Sequence, residues 1–206
     1  GEQNARVISP DLPSHGGSAL VKRFDYDEAA ILVGAALSPV CPKPQAIVGA
    51  SSGGIVALKL GARMKVSVVA IGAGASFSAK NVADMASQSR ALPASTKSWH
   101  DRFADQGKPQ TVALQKHLGD LAAIGTKPMF SPQEQQALAS NVLLIHGRQD
   151  AFFAVENADL LARQITGSLF MTVNGADHLG PLGKPYSHFV WGIINGFVTR
   201  ANSPQQ

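Results

Sequence analysis

Short apolar runs alternate along this chain with stretches whose apolar positions recur at helical spacing, the pattern of a parallel sheet joined by crossover helices. Residues 6–9, 45–49, 66–71, 142–146 and 169–173 read as strands, and 25–37, 53–62, 157–165 and 186–198 read as helices. There is no internal repeat. One interval breaks the alternation: residues 76–140 are too many for a plain crossover. That interval is polar, is interrupted by Pro93, Pro109, Pro128 and Pro132, and carries a helical patch at 112–121. Ser131, Pro132, Gln133 and Glu134 have capping-box spacing, which predicts the start of the helix leading back to the sheet. The fold class is therefore α/β, mostly parallel, with residues 1–75 and 141–206 forming the core and 76–140 inserted as a helical cap.

Composition narrows the class. A chain of 206 residues that is 45% hydrophobic can bury one sizeable core, and no apolar run is long enough to span a bilayer. The net charge is +4, but Lys and Arg are scattered and aromatics make up 6%, which argues against a nucleic-acid surface. The lone Cys41 excludes an internal disulfide and fits a reducing, cytoplasmic setting. It also lacks the companions of a metal site, and no H-E-x-x-H occurs, so no metal is expected.

The sharpest chemical signal lies where the run Ala46 to Ala50 breaks on glycines and resumes with a helical pattern. Gly49, Ser51 and Gly53 fit G-x-S-x-G, in which small flanking residues let a strand turn sharply into a helix and project the serine hydroxyl. Two phosphate-binding alternatives fit poorly. The spacing from Gly49 to Gly54 matches a P-loop, but Ile55 and Val56 stand where Lys and Ser or Thr are needed. Gly72 and Gly74 begin a dinucleotide fingerprint that fails at Phe77, where the third glycine belongs.

A nucleophilic serine requires a base and an acid that orients it. The apolar run 142–146 leads into a polar turn ending at Asp150, and the run 169–173 leads into a turn ending at His178. Both positions lie beyond carboxyl ends of predicted strands, where open α/β sheets build their sites. Asp150 could instead cap the following helix. Asp177 is an alternative acid, but neighbours in sequence point apart and rarely make an in-line imidazole contact. His146 ends an apolar strand and reads as a buried structural histidine rather than a base. His100, His117 and His188 have exposed or packing roles by default.

The order Ser51, Asp150, His178 resembles that of the α/β-hydrolase superfamily, specifically its members with an inserted cap. Four segments carry the likeness: residues 6–18, with D-x-P-x-H-G-x-S and Ser14 where Gly is usual, the serine turn, the H-G-x-x-D turn at 146–150, and the G-x-x-H turn at 175–178. The resemblance implies that Ser51 is the nucleophile, His178 the base, Asp150 the orienting acid and the Ser52 N–H an oxyanion donor, with no cofactor. It also implies that the insertion shapes a pocket for a small-molecule substrate, with Trp99, Phe103, Met129 and Phe130 as candidate liners. An ester is the expected substrate; carbon–carbon bond cleavage, perhydrolysis and a non-catalytic binding role are the alternatives. In the resembled family a strand ending in His-Gly stands between those corresponding to 6–9 and 45–49, and its loop supplies the second oxyanion donor. This sequence has no counterpart, so the fold is expected to be N-terminally incomplete. The gap then has to be closed by direct pairing of the flanking strands, filled by another chain, or left as an edge. A second oxyanion donor would then have to come from elsewhere, the loop at 13–17 being one source.

Overall fold

A computed structural model describes residues 6–91 and 104–201. Trp99 and Phe103 fall outside the described residues. Four strands, β1 (Ala46–Ala50), β2 (Ser67–Ile71), β3 (Val142–Gly147) and β4 (Leu169–Val173), form one parallel sheet in that spatial order. Alternate residues of the central strands feed two cores, as a pleat buried on both faces requires. Val68, Ala70, Val142 and Leu144 face the larger core, and Val69, Ile71, Leu143 and Ile145 the smaller.

Helices α1 (Tyr26–Leu37) and α2 (Ser52–Met64) contribute to the larger core together with α6 (Val155–Gln164), while α7 (Ser187–Ala201) covers the other face through Val190, Ile194 and Phe197. The inserted region supplies α3 (Ala79–Arg90), α4 (Lys108–Ile124) and α5 (Pro132–Ala137). Local chemistry starts several of these. The Asp25 carboxylate accepts the N–H groups of Asp27 and Glu28 at the head of α1. Ser131 and Glu134 complete the expected reciprocal capping box at α5, and Ser78 and Asn81 form another at α3.

One expected strand is absent. Residues 6–9 are irregular, and Val7 is 84% exposed. A strand needs a neighbour for its N–H and C=O groups, and β1, which pairs with β2, has no partner on its other side among the described residues. Direct pairing of residues 6–9 with 45–49 does not occur among the described residues. The following loop is nonetheless well fastened. Ser14, at φ 65 and fully buried, occupies the left-handed conformation that makes glycine usual there. Its hydroxyl lies 3.1 Å from His117 Nε2, while His117 Nδ1 lies 2.8 Å from Asp120 Oδ2, tying the loop to α4.

Lys59 joins three helices. Its buried ammonium on α2 lies 3.0 Å from Asp27 Oδ2 on α1 and 3.1 Å from Glu134 Oε1 on α5, and sits 5.4 Å from the Phe130 ring centroid. A buried cation is tolerated when both charge and donors are satisfied. Lys59→Ala is expected to destabilise the protein by about 1–3 kcal/mol, because it leaves the sheltered Glu134 carboxylate without its cation. Urea unfolding measures this, and a midpoint equal to that of the parent chain contradicts it.

Candidate active site

Ser51 sits between β1 and α2 at φ 54, ψ −124, a conformation that costs a non-glycine residue about 1–3 kcal/mol. Its surroundings hold it there. The Ser51 N–H donates to the carbonyl of Ile71 at the end of β2 (2.8 Å), and the Ser51 carbonyl accepts from Gly54 and Ile55 in the first turn of α2. The strand and helix cross so closely that a Cβ on Gly49 would overlap the carbonyl of Gly53. Glycine at that position is therefore a steric requirement of the turn.

Asp150 and His178 come from the loops after β3 and β4, two strands that pair with each other, with β2 between them and β1. The turns after β3 and β4 are zipped together: Arg148 N–H donates to Val173 O (3.0 Å) and Gln149 N–H to Ala176 O (2.9 Å). A Cβ on Gly147 would overlap the Asp177 carbonyl, so the residue after His146 has to be small for the two turns to meet. Within this frame His178 Nδ1 lies 2.7 Å from Asp150 Oδ2, and His178 Nε2 lies 2.8 Å from Ser51 Oγ. A carboxylate can only accept, so Nδ1 carries the proton and Nε2 is free to accept from the serine hydroxyl.

The Asp150 carboxylate is fully shielded from solvent. Burial by itself raises its pKa. The hydrogen bond from His178 and the charge on that imidazole, with the N–H groups of Phe153 and Phe152, outweigh burial and hold the carboxyl below its usual range. Those two N–H groups donate to Oδ1 at 2.9 and 2.8 Å. The carboxylate thus anchors its own turn and does not cap α6, whose N-cap is Ala154. Asp177 is exposed, and of the two acids it is Asp150 that the geometry joins to His178 Nδ1.

As the first residue of α2, Ser52 has a backbone N–H with no intrahelical acceptor, at the positive end of the helix dipole. Its hydroxyl lies 3.2 Å from Tyr26 Oη on α1. Burial pushes the Tyr26 phenol up to about 12, against the opposing pull of the Ser52 hydrogen bond, so this side chain remains a neutral partner. The loop at 13–17 offers little to the site: the N–H groups of Ser14, His15, Gly16 and Gly17 donate to Ala19, Leu12, Gln106 and Asp11.

Met129 and Phe130 are buried within the larger core, and the Met129 N–H donates to Ala75 O (2.9 Å) in the loop after β2. Phe152 escaped the sequence reading. It is 36% exposed with its ring centroid 5.4 Å from that of His178, and it belongs to an aromatic group with Phe77 and Phe153. Its place two residues after a candidate triad acid was the available signal. Among the described residues no group of three or more His, Cys, Asp or Glu side chains could hold a metal ion, and no helix is long and apolar enough to cross a membrane.

The Alpha/beta hydrolase family profile matches residues 1–186. A pimeloyl-(acyl-carrier protein) methyl ester esterase of Neisseria meningitidis is 29% identical over 197 aligned positions, covering 84% of this chain and 75% of that protein. Among solved structures, an esterase from Thermogutta terrifontis has a TM-score of 0.67 at 16% identity, covering 94% of this chain and 79% of that one. A meta-cleavage product hydrolase from Pseudomonas fluorescens has a TM-score of 0.65 at 17% identity, with coverages of 94% and 79%. These two share the fold with the present chain. With its parallel sheet, inserted helical region and Ser51–His178–Asp150 geometry, the chain belongs to the Alpha/beta hydrolase family.

Proposed function

We propose that this serine-hydrolase-type protein cleaves small carboxylic esters through an acyl-enzyme on Ser51. The observation that carries the reading is the unbroken chain of short contacts from Ser51 Oγ through His178 to a shielded Asp150 carboxylate. As Ser51 Oγ attacks the ester carbonyl carbon, His178 Nε2 takes the hydroxyl proton, and Asp150 stabilises the imidazolium that results. The Ser52 N–H donates to the developing oxyanion. Collapse breaks the carbon–oxygen bond, the leaving alcohol receives the proton from His178, and water repeats the sequence to release the acid.

The ester class is supported by the likeness to methyl ester esterases. The exposed face of Phe152 beside the imidazole offers apolar surface for an acyl or alkyl group. Met129, whose N–H is bonded to Ala75 O in the loop after β2, is proposed as a liner from behind that loop, with Phe130, buried against Lys59, next to it in the chain. Trp99 and Phe103 are proposed as further liners from the inserted segment.

Ser51→Ala is expected to abolish p-nitrophenyl ester hydrolysis and labelling by a fluorophosphonate while leaving the folded state intact, since it removes one hydroxyl. Turnover above a few percent of the parent rate in the purified variant overturns the assignment. A parent chain that labels yet leaves every short ester untouched would place the triad on another bond.

Asp150→Asn is expected to lower kcat by about 10³- to 10⁴-fold, and Asp177→Asn to leave it near the parent value. Equal losses remove Asp150 from its role.

The depressed Asp150 pKa also predicts acid behaviour. A carboxyl whose folded pKa lies below its unfolded value contributes stability above the unfolded value, about 3.9, and loses it as pH falls through the folded one. Urea midpoints of the parent chain should therefore fall more steeply below about pH 4 than those of Asp150→Asn. Parallel pH curves contradict this.

A further inference from the structure

The triad acid is held by a second imidazole. His146, at the end of β3 and almost wholly buried, directs Nε2 at the carbonyl of Phe153 (2.8 Å), and the same nitrogen lies 3.2 Å from Asp150 Oδ2. Both neighbours of Nε2 are acceptors, so this nitrogen carries the proton. Nδ1 is buried and has no hydrogen-bond partner among the described residues, which makes it the free lone pair of that tautomer. The ring therefore acts here as a donor and has no route by which to serve as a second base.

The bond to Phe153 closes a loop of contacts. Phe153 N–H donates to Asp150 Oδ1, His146 Nε2–H donates to Phe153 O, and Asn81 Nδ2 from α3 donates to the neighbouring Phe152 O at 3.0 Å. The Phe153 ring is itself buried, stacked on Phe77 at 5.7 Å. Residues 150–153 are thus pinned by the strand that precedes them, and the pin sits one peptide before Gly147, where the His178 loop crosses. Within 4 Å of the Asp150 carboxylate, the basic side chains among the described residues are His146 from β3 and His178 from the loop after β4.

We infer that His146 is a positioning residue, whose Nε2–H fixes the turn that presents Asp150 to His178. The inference rests on the serine-hydrolase reading above and extends it to a residue outside the triad. Small displacements of a catalytic group are expensive, and partners that orient such groups typically cost about 10- to 100-fold in activity when removed.

The test compares His146→Phe, which keeps a ring but loses the donor, with His146→Gln, whose amide nitrogen is reached through the same number of bonds as Nε2. The expected result is a kcat about 10- to 100-fold lower in His146→Phe with KM nearly unchanged, and recovery of most of that loss in His146→Gln. The proton NMR signal of the His178 Nδ1–H, expected far downfield in the parent chain, should vanish by exchange in the Phe variant and persist in the Gln variant. A folded His146→Phe with parental kcat and a persisting downfield signal overturns the inference. Equal losses in both variants with the signal intact in each also overturn it, because they describe packing alone. Should the parent chain neither hydrolyse esters nor react with a fluorophosphonate, the hydrolase reading falls, and the NMR comparison still decides whether His146 holds Asp150.

Discussion

The hydrogen bond from the Ser51 N–H to the carbonyl of Ile71 is the contact on which the site depends. Ser51 occupies backbone torsions that no ordinary sequence prefers, and a strained residue persists only when its neighbours over-determine it. The end of β2 supplies that constraint from the side, and the buried α2 supplies it from above. Because Ile71 also registers β2 against β3, the serine is placed by the same ladder that places the strand bearing the acid.

The acid and the imidazole are placed by a different device. Their loops are stitched to each other through backbone bonds between the ends of β3 and β4, which fixes Asp150 and His178 against one another. The carboxylate there is shielded from solvent and is tolerated because both oxygens have donors. The site thus joins an elbow to a paired loop through the contact between Ser51 Oγ and His178 Nε2.

Much of this was legible in the sequence because local chemistry and global fold agree. The apolar runs at 45–49, 66–71, 142–146 and 169–173 form strands close to their expected limits, and Ser131 and Glu134 do what their spacing implies. The serine, the acid and the base were each readable from a turn following an apolar run. Pro109 has the place of an interruption before the patch at 112–121, yet it stands in the first turn of α4, where a missing N–H costs nothing. Residues 6–9 have a strand-like composition and no strand, since pairing depends on a neighbour that periodicity cannot report. The burial of Lys59, and of Met129 and Phe130 in the core, is likewise a long-range fact, created by helices that meet only after folding.

On the side of β1 away from β2, no strand pairs among the described residues. A parallel strand with one free edge offers a row of N–H and C=O groups to any extended segment that meets it, and Val48, 43% exposed, adds an apolar side chain to the invitation. Neither a bulge nor a charged residue within Ala46–Ala50 interrupts that row. Among the described residues the sheet therefore ends, beside the strand that aims the serine, on backbone groups that no other strand takes up.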